Sequence, residues 1–401
     1  MARYTSYLSS LGIISALGNG KAETTATLTG RRTADMIKRS GFLPNRDAIL
    51  GTVTADLLAL PSQLSEHDTR NNRLLWAAAS QIRDSIDELI ACYGRQRIGV
   101  LVGTSTSGIE EGTNSYQHRI ETGQFPDTFR YGHQEIGSPS AFLRDAFHLM
   151  GPAYSISAAC SSSAKAFSSG VRLLRADICD AVLVGGVDSL CRLTVGGFDT
   201  LQSLSMSVCN PMSRNRDGIN IGEGAALFIL RKDAGDIELL GVGESSDAYH
   251  PNAPHPDGVG AARAMQAALN NADLTAEDIA YINLHGTATS LNDVMEAKAV
   301  KEVLGDNVPA SSTKPLTGHS LGAAGAIEAA ILWLSLSENA TGAPLPQHLW
   351  DGERDDDIPE LCLVGEGQSL APRDRLAMMS NSFAFGGSNV SVILGKGWTT
   401  S

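Results

Sequence analysis

The feature that most constrains this chain is a local design that occurs twice: a short strand-like run, a stretch of small residues, then the opening of a helical pattern. In the first copy Ala153–Ser157 leads into 157-SAACSSSAKAFSSG-170; the second is 317-TGHSLGAAGAIEAAILWL-334. Repetition of such a unit points to an internal duplication. Around it, Arg97–Thr104 (RIGVLVGT) and Ala181–Val187 (AVLVGGV) are apolar, β-branched and bounded by glycine, as buried strands are. Asn71–Ile90 and Ala261–Asn270 carry helical spacing, and MARYTSYLSSLGIISALGNG reads as a first strand and turn. Alternation of this kind predicts an α/β fold, a sheet covered by helices on both faces. The polar stretch RKDAGDIEL separates the apolar strand Ala225–Leu230 from another beginning near Ile237, which places two halves at 1–234 and 235–401.

The helix openings are where chemistry is expected. Cys160 lies between two alanines and three serines at the first of them. A helix N-terminus favours the thiolate, its N–H groups can bind an oxyanion, and small neighbours let a substrate approach. On this segment alone, a packed cysteine in a small-residue turn fits as well. Two histidines change the balance. The run 279-IAYINLHGTATSLND-293 delivers His285 to a Gly-Thr turn at a strand end, and 310-ASSTKPLTGHSLGAAGAIEA-329 carries Lys314 and His319 around a Pro/Gly loop before a helix. Both sit in glycine-rich turns rather than on apolar faces. In 380-SNSFAFGGSNVSVIL-394, Phe385 precedes a Gly-Gly turn and a strand from Val390, so its backbone N–H is expected on a flexible loop; a buried aromatic beside a tight turn is the plainer reading.

Composition removes other classes. With 42% hydrophobic residues and 41 glycines in 401, a large α/β core is expected, and a formal charge of −13 disfavours nucleic acid as a partner. Leu321–Leu336, the most apolar later window, contains Glu328 and is too short to span a bilayer. No signal-peptide cleavage pattern follows the first apolar run, so a soluble, cytoplasmic protein is expected. The cysteines Cys92, Cys160, Cys179, Cys191, Cys209 and Cys362 form no C-x-x-C pair and no zinc-spaced cluster, which predicts no metal centre and at least five small buried hydrophobes.

Together GIISALGNG, SISAACSSSA, NPMSRNRDGINIGEGAALFIL, GVGESSDAYH, NLHGTATSLND, SSTKPLTGHSLGAAGA and NSFAFGGSN, in this order over nearly the whole chain, resemble the β-ketoacyl-acyl carrier protein synthases of the type I/II branch. The resemblance implies the thiolase-like fold, with two βαβαβ-type halves in α/β/α/β/α layers. It implies Cys160 as nucleophile, His285 and His319 as the histidines of the condensation site, and Lys314 as the lysine tuning them. Thr287 and Thr289 would contact the phosphopantetheine arm, Phe385 would be the gate, and Glu328 a structural glutamate. A monovalent cation near Asn283, Glu328, Ser380 and Asn381 is implied in some members. No other cofactor is required, since the substrates arrive on the phosphopantetheine of acyl carrier protein. The implied reaction is acyl transfer to Cys160 followed by decarboxylative Claisen condensation with malonyl carrier protein, in fatty acid or polyene synthesis.

The chain departs from the family in one place at the gate, where Ala384 stands for a frequent glycine and is expected to restrict backbone angles. The segment 32–61 and RNNRLLWAA look similar to synthases of aryl-polyene pathways, whose partner is a degenerate chain-length-factor-like subunit; a homodimer or such a heterodimer is expected. Acidic carrier protein would dock on a local basic patch, for which Arg70 and Arg73, then Arg130, are candidates against the alternative of a solvated helix face. A biosynthetic thiolase would carry a second cysteine where NSFAFGGSN stands, and a non-catalytic chain-length factor would have lost Cys160.

Overall fold

The computed structural model describes residues 6–233, 235–338 and 342–398, so residue 234, where the boundary between halves was drawn, lies outside it. Five strands of the first half are β1 (Ser6–Ser15), β2 (Ile98–Gly103), β3 (Ala153–Ile156), β4 (Ala181–Asp188) and β5 (Gly224–Arg231). Five of the second are β6 (Glu238–Ser246), β7 (Ile279–Asn283), β8 (Pro309–Ser311), β9 (Leu376–Ala384) and β10 (Ser388–Lys396). The first set lies in the order β1-β5-β4-β2-β3 and the second in the order β6-β10-β9-β7-β8. In each, the first two pairings are antiparallel and the last two parallel. Identical order and direction establish the duplication that the two helix openings suggested. The sheets are continuous only through the short pairing Ser6↔Leu239 and Tyr7↔Glu238.

Every residue of β2 and β4 is buried, which is why these strands are unbroken apolar runs rather than alternating ones. The helices used below are α1 (Arg70–Ser80), α2 (Arg83–Tyr93), α3 (Ser138–Ala146), α4 (Ser162–Arg175), α5 (Val259–Ala272), α6 (Ser290–Leu304) and α7 (Ala324–Ser337). Helices α1 and α3 cover the outer face of the first sheet and α5 and α6 that of the second; α4 and α7 lie between the sheets and pack on each other. That is the expected α/β/α/β/α layering. Its middle layer needs small residues: a Cβ on Gly325 of α7 would meet Ala164 of α4 at 3.0 Å, and one on Gly103 would stand 2.2 Å from Ser163 N.

Three expectations change. The helix expected over Asn71–Ile90 is two, α1 and α2. Between them the Gln81 amide accepts from Ile13 N–H at 3.0 Å and donates to Ile13 O at 2.9 Å, pinning the break to β1. Cys92 and Cys362 are exposed, so four cysteines are buried rather than five. The first helix opens at Ser162 instead of Cys160. Among the described residues no helix is long and apolar enough to cross a membrane.

Candidate active site

Cys160 occupies the turn between β3 and α4, and the serines around it build that turn. Ala159 adopts φ 47°, a left-handed conformation rare for alanine. Ser162 Oγ donates to Ala159 O at 2.6 Å and accepts from Ala158 N–H at 2.9 Å, while Ser161 Oγ donates to Ala158 O at 2.8 Å. Ser105 Oγ adds a bond to Ala159 O at 3.2 Å, and its own turn is fixed by the buried carboxylate of Asp188, which accepts from Ser105 and Thr106 N–H. The elbow thus aims the thiol away from α4 and into a cavity of about 130 Å³ shared with His285 and His319.

His285 follows β7. Its N–H and that of Gly286 donate to the two oxygens of buried Glu296, each at 2.7 Å, which fixes the turn carrying the imidazole. His319 precedes α7 and is held by its N–H to Asn220 O at 2.6 Å. The second half therefore sends two imidazoles towards the one thiol of the first. His319 Nε2 lies 2.9 Å from Cys160 Sγ, the two imidazole rings are 5.3 Å apart at 82°, and the sulfur and one nitrogen of each ring all fall within 4.8 Å of one another. That spacing could also hold a metal ion. Metal-bound imidazoles normally donate their second N–H to an acceptor, however, and both Nδ1 atoms here are buried without a hydrogen-bond partner among the described residues. The arrangement suits proton transfer better.

Burial sets the protonation states. It pushes the Cys160 thiol up to about 12, against the opposing pull of Lys314 and of the Phe385 N–H. The thiolate expected from a helix N-terminus is therefore not the resting form, because the cysteine precedes the helix and is desolvated. Burial, assisted by Lys314, holds both histidines well below 6.5, so each imidazole is neutral at physiological pH. A neutral Nε2 beside a neutral thiol is a proton acceptor in place. Lys314 Nζ donates to Glu328 Oε1 at 2.6 Å, and both side chains are almost wholly buried.

The cation expectation can be tested on unsatisfied atoms. Among the described residues Asn283 Oδ1, Glu328 Oε2 and Ser380 Oγ are buried without hydrogen-bond partners, and Asn283 and Ser380 are paired across β7 and β9. An all-oxygen set of this kind fits a hard monovalent cation. The Asn381 side chain does not join it, being bonded to Glu296 and Ser391.

Thr287 and Thr289 line the same cavity and bond each other through their hydroxyls at 3.0 Å. Phe385 is partly exposed in the β9–β10 turn, its ring 5.7 Å from Phe198, and its N–H faces the Cys160 sulfur. The turn is tied rather than loose: Gly386 N–H bonds Pro251 O at 2.7 Å and Gly387 N–H bonds Ala384 O at 3.0 Å. The left-handed positions are Gly386 and Gly387; Ala384 is an ordinary strand residue paired with Ser388, so its methyl causes no strain in this conformation. The candidate carrier-docking arginines make ion pairs within the chain while their side chains stay partly exposed. Arg70 chelates buried Glu223, Arg73 chelates Asp68, and Arg130 turns to Asp127 O and Phe129 O with Glu66 beside it. Glu296, Asp188, Asn220 and Phe198 were not singled out in the sequence. Of these only Glu296 left a signal, an acid in the first turns of the helix that follows His285.

Two like halves that bring one thiol and two neutral imidazoles into a common cavity define a thioester-handling acyltransferase of the thiolase-like fold. The models named "Beta-ketoacyl synthase, N-terminal domain" and "Beta-ketoacyl synthase, C-terminal domain" match residues 70–234 and 237–345. The chain is 32% identical to 3-oxoacyl-[acyl-carrier-protein] synthase 2 of Rhizobium meliloti (strain 1021), over 96% of each chain. It is 34% identical to the Vibrio cholerae protein of that name over 74% of this chain and 75% of that one. Among solved structures it is similar to a ketosynthase in complex with its chain length factor from Xenorhabdus doucetiae, with 45% identity, TM-score 0.92 and 98% of both chains covered. The chain belongs to the β-ketoacyl synthase family and is an acyl-transferring ketosynthase.

Proposed function

We propose that Cys160 carries the growing acyl group and that His319 and His285 divide the work of loading and extending it. The carrying observation is the 2.9 Å contact of His319 Nε2 with Cys160 Sγ, both groups neutral and buried. As Sγ attacks the carrier thioester, Nε2 takes the thiol proton, and the pantetheine thiolate leaves with that proton. The Cys160 and Phe385 N–H groups stabilise the oxyanion. Malonyl carrier protein then loses carbon dioxide. Its enolate attacks the acyl-Cys160 carbonyl, a carbon–carbon bond forms as the carbon–sulfur bond breaks, and the released thiolate takes up a proton from water. The N–H of His285 stabilises the negative charge in this second half, with Lys314, paired to Glu328, supplying positive potential; His319 Nε2, having passed its proton to the pantetheine, takes no part as a donor.

This scheme predicts an acylation rate for Cys160 that is flat between about pH 6 and 9, because the thiol ionises far above that window and His319 far below it. Stopped-flow acylation across pH would check it. A tenfold rise per pH unit towards the free-thiol value of about 8.5 would contradict it.

The substrate and partner follow the same reading. We propose acyl carrier protein as donor, an aryl-primed polyene as product class and a chain-length-factor-like homologue as partner. The similarity to a ketosynthase in complex with its chain length factor supports the partner. So does the free edge of β3, where Tyr154 is exposed and no described strand pairs beyond it. Phe198, Phe383 and Phe385 around the cavity favour a flat conjugated chain. Malonyl extension should be measured with aryl-primed and saturated carrier proteins, with and without the partner. Extension of saturated primers alone would reject the polyene assignment.

A further inference from the structure

The segment 311–314 carries Lys314, and its position depends on a residue that lies outside the catalytic cavity. His348 follows α7 in sequence and is 3% exposed. Its Nδ1 accepts from Ser312 N–H at 3.1 Å and its Nε2 faces Pro211 O at 3.0 Å. A backbone N–H can only donate and a carbonyl can only accept, so the imidazole is neutral with its proton on Nε2. Its own N–H is fixed to Val364 O at 2.9 Å, which anchors the ring to the backbone beside β8.

From Ser312 the network runs directly to the chemistry. Ser312 Oγ donates to Gly286 O at 2.7 Å, one residue past His285, and accepts from Lys314 N–H at 3.3 Å. On the other side, Pro211 precedes Met212, whose N–H bonds Asp293 Oδ2 at 2.8 Å; the other oxygen of that carboxylate accepts from Ala288 N–H in the His285 loop. His348 thus ties together the segment bearing Lys314 and two supports of the His285 loop that act beside Glu296, the Ser312 bond to Gly286 O and the Asp293 bond to Ala288 N–H. It has no contact with the Cys160 elbow, whose bonds come from Ser105, Ser161 and Ser162.

We propose that His348 is a positioning residue for the condensation half of the reaction, acting through Ser312 on Lys314 and the His285 loop. The proposal rests on the two-step reading of Cys160, His319 and His285 above. Its signature is a split between half-reactions. In His348→Ala the rate of Cys160 acylation should fall by no more than about threefold, because His319, although joined to the segment by Gly318 N–H to Lys314 O, is itself clamped by its N–H to Asn220 O at 2.6 Å and by Gly222 N–H to its own carbonyl at 2.9 Å. Formation of 3-ketoacyl product from preloaded acyl-enzyme should fall by roughly tenfold to a hundredfold, the scale expected for a misplacement of about 1 Å. His348→Gln, whose amide can accept from Ser312 N–H and donate to Pro211 O, should recover most of that loss. Ser312→Ala, which keeps the backbone but removes the hydroxyl link, should show the same split and should not add to His348→Ala.

The experiment is single-turnover rapid quench on the intact protein with its partner, measuring both half-reactions for wild type and these three variants. A selective loss of condensation, recovered by Gln, supports the proposal. Parallel loss of both half-reactions, or undiminished condensation in His348→Ala and Ser312→Ala, overturns it. Should His348→Ala not fold, Ser312→Ala and His348→Gln decide by the same criterion. A wild-type chain that is never acylated would instead strike at the Cys160 reading, so the two failures are distinguishable.

Discussion

Glu328→Ala is expected to cost about 3–5 kcal/mol of stability, because it leaves the Lys314 ammonium buried without its partner. The ammonium is 1% exposed and its hydrogen bond is to Glu328 Oε1 at 2.6 Å. Lys314→Met should be milder. Burial already raises the Glu328 carboxyl, so a carboxylate deprived of Lys314 can take a proton and remain neutral, an escape a stranded ammonium shares less readily. The double variant Lys314→Met/Glu328→Leu replaces the pair with apolar groups of similar size and should return close to wild-type stability while condensation stays impaired. Urea or thermal unfolding of the four proteins measures the first part and single-turnover rates the second. A Glu328→Ala protein within about 1 kcal/mol of wild type would show that the pair is solvated or that another group compensates the charge.

The histidines should separate by step. His319→Ala removes the acceptor 2.9 Å from the thiol, and Cys160 acylation should slow by about 10²–10⁴-fold, the usual contribution of a positioned base. Burial makes the loss harder to offset, since the thiol is pushed up to about 12 and supplies almost no thiolate without help. His285→Ala leaves that contact intact. Acylation should survive within about tenfold, while condensation should fall by about 10²-fold or more with a charge-stabilising donor gone. Equal losses in both half-reactions for both variants would dissolve the division of labour. Rescue of His319→Ala by raising pH would show instead that thiolate supply is the whole of its role.

The fold and the centre of the site were legible in the sequence for different reasons. Fully buried strands have to be apolar throughout, so β2 and β4 show as unbroken runs, and the small residues that let α4 and α7 meet between the sheets mark both helix openings. Cys160, His285, Lys314 and His319 stood out as parts of small-residue, glycine-rich motifs that together resemble the β-ketoacyl synthases, since each alone fitted an ordinary structural role. What stayed hidden depends on long-range contacts. The break between α1 and α2 follows from Gln81 meeting Ile13, and the pairing of Arg70 with Glu223 spans 153 residues; neither leaves a periodic trace. The thiol's protonation state is likewise a matter of desolvation, which local sequence understates when it places a cysteine near a helix N-terminus. His348 was invisible because its partners, Ser312 and Pro211, are distant in sequence and are both backbone groups.

The most direct test of the account is the intact mass of the protein after exposure to acyl carrier proteins, alone and with its chain-length-factor-like partner, comparing wild type with Cys160→Ala before and after malonyl carrier protein is added. The account predicts a single acyl adduct that requires Cys160 and disappears as 3-ketoacyl product forms. An adduct that persists in Cys160→Ala, or product formed with no adduct passing through Cys160, would contradict it.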